Sequence, residues 1–329
     1  APPRLPGNDS LVAAFAPWAV LGPALGIASV IPDMDVTRPS TLTAQALGDA
    51  VRAVNGTLMW ASPAALRAVL DTRASLRDLS SLSSLRLVLG AGAPVSRELL
   101  AGMAELCPAA VVRTPYGMTE VLPVTDVSLA EIVAEGDGPG VLVGRPLDGV
   151  DVRISRVDDD GRADGPLSDA AHVMGEVVVR AAHAKDRYDA LWATQRRSGR
   201  DEGWHRTGDV GELDEHGRLW IGGRLAHVIT TPRGPLAPVA VEQRVGALPG
   251  VRQAAAVGVG PVGTEQVVIV LQTQRRVDLD LLDEVRAAAG VPVAAVLTRD
   301  DLPVDPRHRS KVDRTALGAW AADVLAGRP

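Results

Sequence analysis

Short apolar runs alternate with stretches of helical periodicity between residues 57 and 113, and this rhythm restricts the fold more than any other feature. Residues 57–60 and 85–89 are two such runs, the second ending on Gly90. Residues 95–106 place apolar side chains three and four apart, and residues 110–113 form a further short run. Strand, helix and strand in that order need crossover connections, so the strands are expected to be parallel with helices packed on the sheet. Residues 40–75, around the first run, read as helical. Residues 11–32 carry no charged side chain. The stretch is long enough to cross a bilayer, but Pro17, Gly22, Pro23 and Gly26 interrupt it. Asp33 and Asp35 follow with no basic cluster. The expectation is therefore a buried strand, a turn at Gly22-Pro23 and a buried helix, with no integral membrane segment.

Beyond about residue 150 the pattern changes to strands with polar turns, at 150–154, 175–180 and 218–221. Asp158-Asp159-Asp160-Gly161 lies in one turn; its spacing is not that of an EF-hand, and a solvated hairpin loop is the reading. Residues 185–203 are charged and irregular, which predicts a surface loop. From about 223 a second unit reads strand (227–231), helix (238–248), strand (253–258), strand (266–271), helix (279–289), strand (293–298) and helix (315–325). The division expected is a large α/β domain over residues 1–222 and a small α+β domain over 223–329. With one Phe and two Tyr in 329 residues, the core must come from Ala, Val and Leu. The net charge of −6 argues against a nucleic-acid partner, which would need a basic face. A single cysteine, Cys107, excludes an internal disulfide or a cysteine metal cluster and fits a reducing, cytoplasmic setting. The chain begins at Ala1 with no initiator Met, as a processed or trimmed piece would.

Several segments carry candidate chemistry. Gly258-Val-Gly260-Pro-Val-Gly263 has dinucleotide-like glycine spacing, but no helix follows it, so it reads as a turn between strands. Gly90-Ala91-Gly92-Ala93-Pro94 follows a strand and opens a helix with Pro94 near its first position, a context in which backbone N–H groups face a ligand. Tyr116-Gly117-Met118-Thr119-Glu120 follows the 110–113 run. An aromatic face there can stack on a base, glycine admits close backbone approach, a hydroxyl can reach phosphate, and a carboxylate can hold Mg²⁺. Trp204-His205-Arg206-Thr207-Gly208-Asp209 and Gly223-Arg224 place a carboxylate and a guanidinium that suit sugar hydroxyls. The basic stretch Arg309-Ser310-Lys311-Val312-Asp313-Arg314, taken alone, reads as a solvated tail.

Taken in order, the Gly-Ala-Gly-Ala-Pro turn, Tyr-Gly-Met-Thr-Glu, Thr-Gly-Asp, Gly-Arg and a late Lys resemble the signature series of the adenylate-forming (ANL) superfamily. That superfamily includes acyl-CoA synthetases, peptide-synthetase adenylation domains and luciferases, and the likeness runs from about residue 11 to 325. The resemblance implies an α/β adenylate-forming fold and an ATP-dependent, AMP-forming ligase. It implies that Gly90, Ala91, Gly92, Ala93 and Pro94 flank the adenine together with Tyr116, Gly117 and Met118. Thr119 would face the α-phosphate and Glu120 would hold Mg²⁺. Asp209 and Arg224 would hold the ribose, and Lys311 would bridge acyl oxygen and phosphate during adenylation. The cofactors implied are ATP/AMP and Mg²⁺.

Three departures are informative. The superfamily's Ser/Thr/Gly-rich phosphate loop ending in Lys does not occur, and its place would lie upstream of residue 1, so the resemblance implies that the chain starts partway into the fold. The hinge reads Gly223-Arg224-Leu-Ala-His227-Val-Ile-Thr230, with His and Thr where the superfamily has Asp and Lys. The apolar segment after residue 14 has no His. The run from Gly22 to Pro39 and the Gly-Arg-x-x-His hinge are similar to the olefin-biosynthesis β-lactone synthetases. That branch adenylates a long-chain β-hydroxy acid, and the acid's own hydroxyl then displaces AMP to give a β-lactone without CoA. His227 is then either the base that takes the hydroxyl proton or a hinge residue that sets the rotation of the small domain. The alternatives are a fatty acyl-CoA synthetase or acyl-AMP ligase, and a catalytically inactive nucleotide-binding fragment. The expected partners are a long-chain acyl or β-hydroxyacyl substrate and other enzymes of a lipid pathway.

Overall fold

A computed structural model describes residues 9–303 and 312–328 and divides the chain into two compact units. The first comprises residues 1–117 and 125–136, the second residues 118–124 and 137–329. In the first, β1 (Ser10–Ala14) pairs in parallel with β2 (Ala28–Val30) and β3 (Leu58–Ala61), β3 with β4 (Leu87–Gly90), and β4 with β5 (Val111–Met118). The helices are α1 (Leu21–Ala24), α2 (Ala44–Val54), α3 (Pro63–Asp71), α4 (Arg97–Leu106) and α5 (Leu129–Glu135). The sequence explains where three of them start. Thr43, Ser62 and Ser96 each accept a hydrogen bond from a first-turn amide of α2, α3 and α4.

Side chains alternate across a strand, and the core follows that rule. Val12, Ala14, Met59, Ala61 and Val88 face Leu47 and Val51 of α2, Leu66 and Val69 of α3, and Leu100 and Met103 of α4. Cys107 is buried at the end of α4, and burial pushes its thiol up to about 11.

Residues 11–32 differ from expectation. Instead of a strand, a turn and a buried helix, they form β1, a 3-10 turn at Ala16–Val20, the single-turn α1, and β2. Gly22 and Pro23 lie inside α1 rather than at a turn, and Gly26, at φ +75°, ends the helical path. Ala28–Val30 then gains a parallel partner in Ser10–Val12, and that pairing outweighs the local helical tendency.

The second unit is antiparallel through β7 (Val141–Pro146), β8 (Val150–Arg156), β9 (Leu167–Ser168), β10 (Gly175–Ala181), β11 (His205–Leu213) and β12 (Leu219–Arg224), in the order β7-β12-β11-β10-β8-β9. The strand β6 (Val121–Ser128) runs through the chain boundary between the units. Residues 185–203, expected as a loop, contain α6 (Trp192–Ser198). Residues 223–329, expected as a domain, fall within the second unit and have sheets of their own. The hairpin of β13 (Ile229–Thr231) and β14 (Gly234–Leu236) precedes α7 (Pro238–Gly246). Then β15 (Val251–Val259), β16 (Gln266–Thr273) and β17 (Ala295–Thr298) form a three-stranded sheet with β16 in the middle. Val267, Ile269 and Leu271 face α7 and α8 (Leu279–Ala289); Val268 and Val270 face α9 (Arg314–Leu325) on the other side. Gly258 and Val259 end β15, and residues 260–265 join it to β16 as the turn between strands that the sequence suggests. Among the described residues no helix is long and apolar enough to cross a membrane.

Leu100 is fully buried where α4 meets the first unit's strands. Leu100→Ala is expected to cost about 2–5 kcal/mol, read from the urea midpoint of that unit's unfolding.

Candidate active site

In the first unit the candidate residues collect at the carboxyl ends of parallel strands, where open α/β sheets bind ligands. Gly90 closes β4, and the next strand, β5, carries Tyr116 and Gly117. The Tyr-Gly-Met segment, placed by the sequence after the 110–113 run, is part of the same strand, since β5 continues to Met118. Gly92 has φ +96°, a conformation that a side chain would strain, and the site of its missing Cβ lies 3.8 Å from the Phe15 ring. Ala91 is buried and Ala93 half-buried. Pro94 is not at the first helical position. Ser96 caps α4, and Pro94 belongs to the turn before it, because the side-chain oxygen of Ser96 satisfies the Leu99 amide. Nearby in this unit Trp18 and Trp60 stack at 4.4 Å between ring centroids. Both indole N–H groups are buried with no hydrogen-bond partner.

In the second unit two groups of residues stand out. The Thr207-Gly208-Asp209 segment of β11 rests on a buried charge. Arg206, its side chain 3% exposed, donates to Glu176 at 2.6 Å, to Asp201 at 2.6 Å and to the Ala163 carbonyl at 2.8 Å. Glu176 also accepts the Gly208 amide at 3.1 Å, and the Thr207 hydroxyl donates to the Val177 carbonyl and accepts the Asp209 amide. Gly208 takes φ +70°, and a Cβ there would lie 3.2 Å from an Arg224 nitrogen. Asp209 and Arg224 are cross-strand partners on β11 and β12 and form an ion pair at 2.8 Å. Sequence reading chose this pair but missed Glu176 and Arg206. The signal was available: Glu176 is a carboxylate within the otherwise apolar run Gly175-Glu-Val-Val-Val.

Thr119 and Glu120 form the turn between β5 and β6, with Thr119 exposed and Glu120 half-buried. The Tyr188 hydroxyl donates to Glu120 Oε1 at 2.5 Å, and the Lys185 amide donates to the Glu120 carbonyl at 2.7 Å. Burial and the Glu120 carboxylate keep the Tyr188 phenol protonated far above its ordinary range. Among the described residues no three His, Cys, Asp or Glu side chains gather as a metal cluster. A single carboxylate at a half-exposed turn does suit Mg²⁺, which takes few protein ligands and relies on phosphate and water for the rest.

His227 ends the 3-10 turn Leu225–His227 rather than opening a strand, and its Nδ1 is buried without a partner. Burial, then the Arg314 and Arg224 charges, hold its ring below the ordinary histidine value, with Glu242 and Asp313 opposing. His205 is depressed by burial and then by Lys185. Lys311 lies outside the described residues.

Two measurements test this arrangement. Glu176→Ala strands the buried Arg206 charge and is expected to cost about 3–5 kcal/mol in urea unfolding. The His227 C2 proton should titrate with a midpoint below the usual ~6.5. Its folded value lies below its unfolded value, so the contribution of the neutral ring is present above about 6.5 and lost as the pH falls through the folded value. A midpoint at or above 6.5 contradicts the burial argument.

Comparison with known proteins agrees with this geometry. The family model for AMP-binding enzymes matches residues 11–188, more than half of the chain. An olefin beta-lactone synthetase of Xanthomonas campestris pv. campestris is 36% identical over 94% of this chain and 59% of its own length. One from Stenotrophomonas maltophilia is 36% identical over 95% of this chain and 60% of its own. The chain thus spans about three-fifths of these relatives. Among solved structures, the Bacillus subtilis O-succinylbenzoate coenzyme A synthetase in complex with AMP superimposes with a TM-score of 0.73 at 22% identity, over 95% of this chain and 61% of that one. An amide bond synthetase from Marinactinospora thermotolerans gives 0.72 at 26% identity over 95% and 61%. The chain belongs to the AMP-binding enzyme family and has the fold of the adenylate-forming enzymes.

Proposed function

We propose that the protein carrying this chain converts a long-chain β-hydroxy acid to a β-lactone in two steps at one site. The acid's carboxylate attacks the α-phosphorus of ATP and pyrophosphate leaves. The β-hydroxyl oxygen then attacks the acyl carbon, its proton passes to a base, and AMP leaves with the electrons of the broken bond. The observation that carries this reading is the 36% identity to two olefin beta-lactone synthetases over 94% and 95% of the chain. The 4-coumarate–CoA ligases, by contrast, match 54–56% of it at 28–32%. The Gly223-Arg224-x-x-His227 hinge supports the same branch.

In this reading Gly90–Pro94, Tyr116, Gly117 and Met118 receive the adenine, and Asp209 with Arg224 receives the ribose. Thr119 meets the α-phosphate, and Glu120 holds Mg²⁺, which offsets charge on the phosphate oxygens. Lys311 stabilises the charge that builds as the carboxylate attacks. Adenylation supplies the driving force for a strained four-membered ring, and holding the hydroxyl beside the carbonyl makes closure intramolecular. His227, uncharged at neutral pH because its ring is held low, is competent to accept the hydroxyl proton.

The test is product analysis with a 3-hydroxy fatty acid and ATP. The expected product has the mass of the acid less one water, forms with stoichiometric AMP, and is unchanged by CoA. A CoA thioester would instead indicate an acyl-CoA synthetase. AMP binding with no turnover of ATP would indicate a nucleotide-binding fragment. His227→Ala should leave pyrophosphate release intact and lower lactone formation by about 10²–10⁴-fold; equal loss of both assigns His227 to the hinge.

A further inference from the structure

The Glu120 carboxylate sits on a two-residue hairpin turn whose other member, Thr119, is exposed. Nothing in such a turn fixes the direction of a carboxylate by itself. Here the fixing comes from one distant segment. Lys185 donates its amide to the Glu120 carbonyl at 2.7 Å, and Tyr188 donates its hydroxyl to Glu120 Oε1 at 2.5 Å, so the same four-residue stretch grips both the main chain and the side chain of Glu120. The stretch is itself tied to α6. Gln195 Oε1 accepts the Tyr188 amide at 2.8 Å and the Lys185 ammonium at 3.2 Å. The Lys185 ammonium lies 4.1 Å from the centroid of the Tyr188 ring, which orients the ring from its face.

We propose that Tyr188 is a positioning residue for the cation ligand Glu120: its hydroxyl occupies Oε1 and thereby aims Oε2 as the oxygen that ligates a divalent cation. The inference rests on the reading of Glu120 as the Mg²⁺ ligand. Tyr188 itself touches neither cation nor substrate. A carboxylate aimed in advance binds without the loss of freedom that a free side chain would incur, and removing an outer hydrogen-bond partner of a metal ligand weakens affinity by about 10–100-fold.

The experiment uses the native protein carrying this chain and Mn²⁺ as the probe. Free Mn²⁺ is counted by electron paramagnetic resonance in the presence of a non-hydrolysable ATP analogue, and the Mg²⁺ dependence of pyrophosphate release is measured separately. Tyr188→Phe keeps the ring and its contact with Lys185 but removes the donor. It is expected to weaken Mn²⁺ binding about 10–100-fold, raise the half-saturating Mg²⁺ concentration in parallel, and recover most of kcat at saturating Mg²⁺. Glu120→Gln should weaken Mn²⁺ binding more than Tyr188→Phe does. Unchanged Mn²⁺ affinity in folded Tyr188→Phe, or a fall in kcat at every Mg²⁺ concentration with no change in half-saturation, would overturn the proposal while leaving the role of Glu120 intact. Failure of the unaltered protein to bind Mn²⁺ with the nucleotide analogue would overturn the reading of the site and this inference with it.

Discussion

The guanidinium of Arg206 is a charge that the second unit has buried almost completely, and the local structure is built to answer it. Two carboxylates and a carbonyl surround it. One of those carboxylates, Glu176, also takes the Gly208 amide, so the ion pair and the Thr-Gly-Asp segment of β11 share a single anchor. A buried pair of this kind contributes little net stability, since desolvation offsets most of the attraction. Its value lies in geometry: with that segment of β11 fixed, Asp209 falls directly across from Arg224 on the neighbouring strand.

The first unit solves a different problem with simpler means. Its strands are made of small and branched apolar residues, and parallel pairing leaves their carboxyl ends open at one edge. Glycines at that edge let the chain turn away from the sheet without placing a side chain in the gap. Gly90 closes β4 at this edge, and Tyr116 lies near the end of the neighbouring β5.

Much of the fold was legible because apolar periodicity and Gly punctuation are local properties. The 85–90 strand, the following helix and the small three-stranded sheet all announce themselves within ten residues. What was not legible depends on partners far away in sequence. Residues 28–30 are a strand only because Ser10–Val12 lies alongside. Residues 192–198 read as loop because α6 is almost wholly exposed and so shows no apolar stripe. The same limit applies to the site. Asp209, Arg224 and Glu120 belong to recognisable short motifs. Glu176 stands out locally only as a carboxylate in an apolar run, and the partners of Glu176 and Tyr188, 32 and 68 positions away, are not written in any local pattern.

Cys107 offers a last consequence. The only thiol of the chain is buried at the end of α4 and keeps its proton at neutral pH. Oxidants and alkylating reagents act on the exposed thiolate, so Cys107 in the folded first unit is shielded from them. Sulfenic acid, glutathione adducts or cross-linked copies found on this chain would therefore be a fossil of an earlier opening of that core, not a modification of the native state.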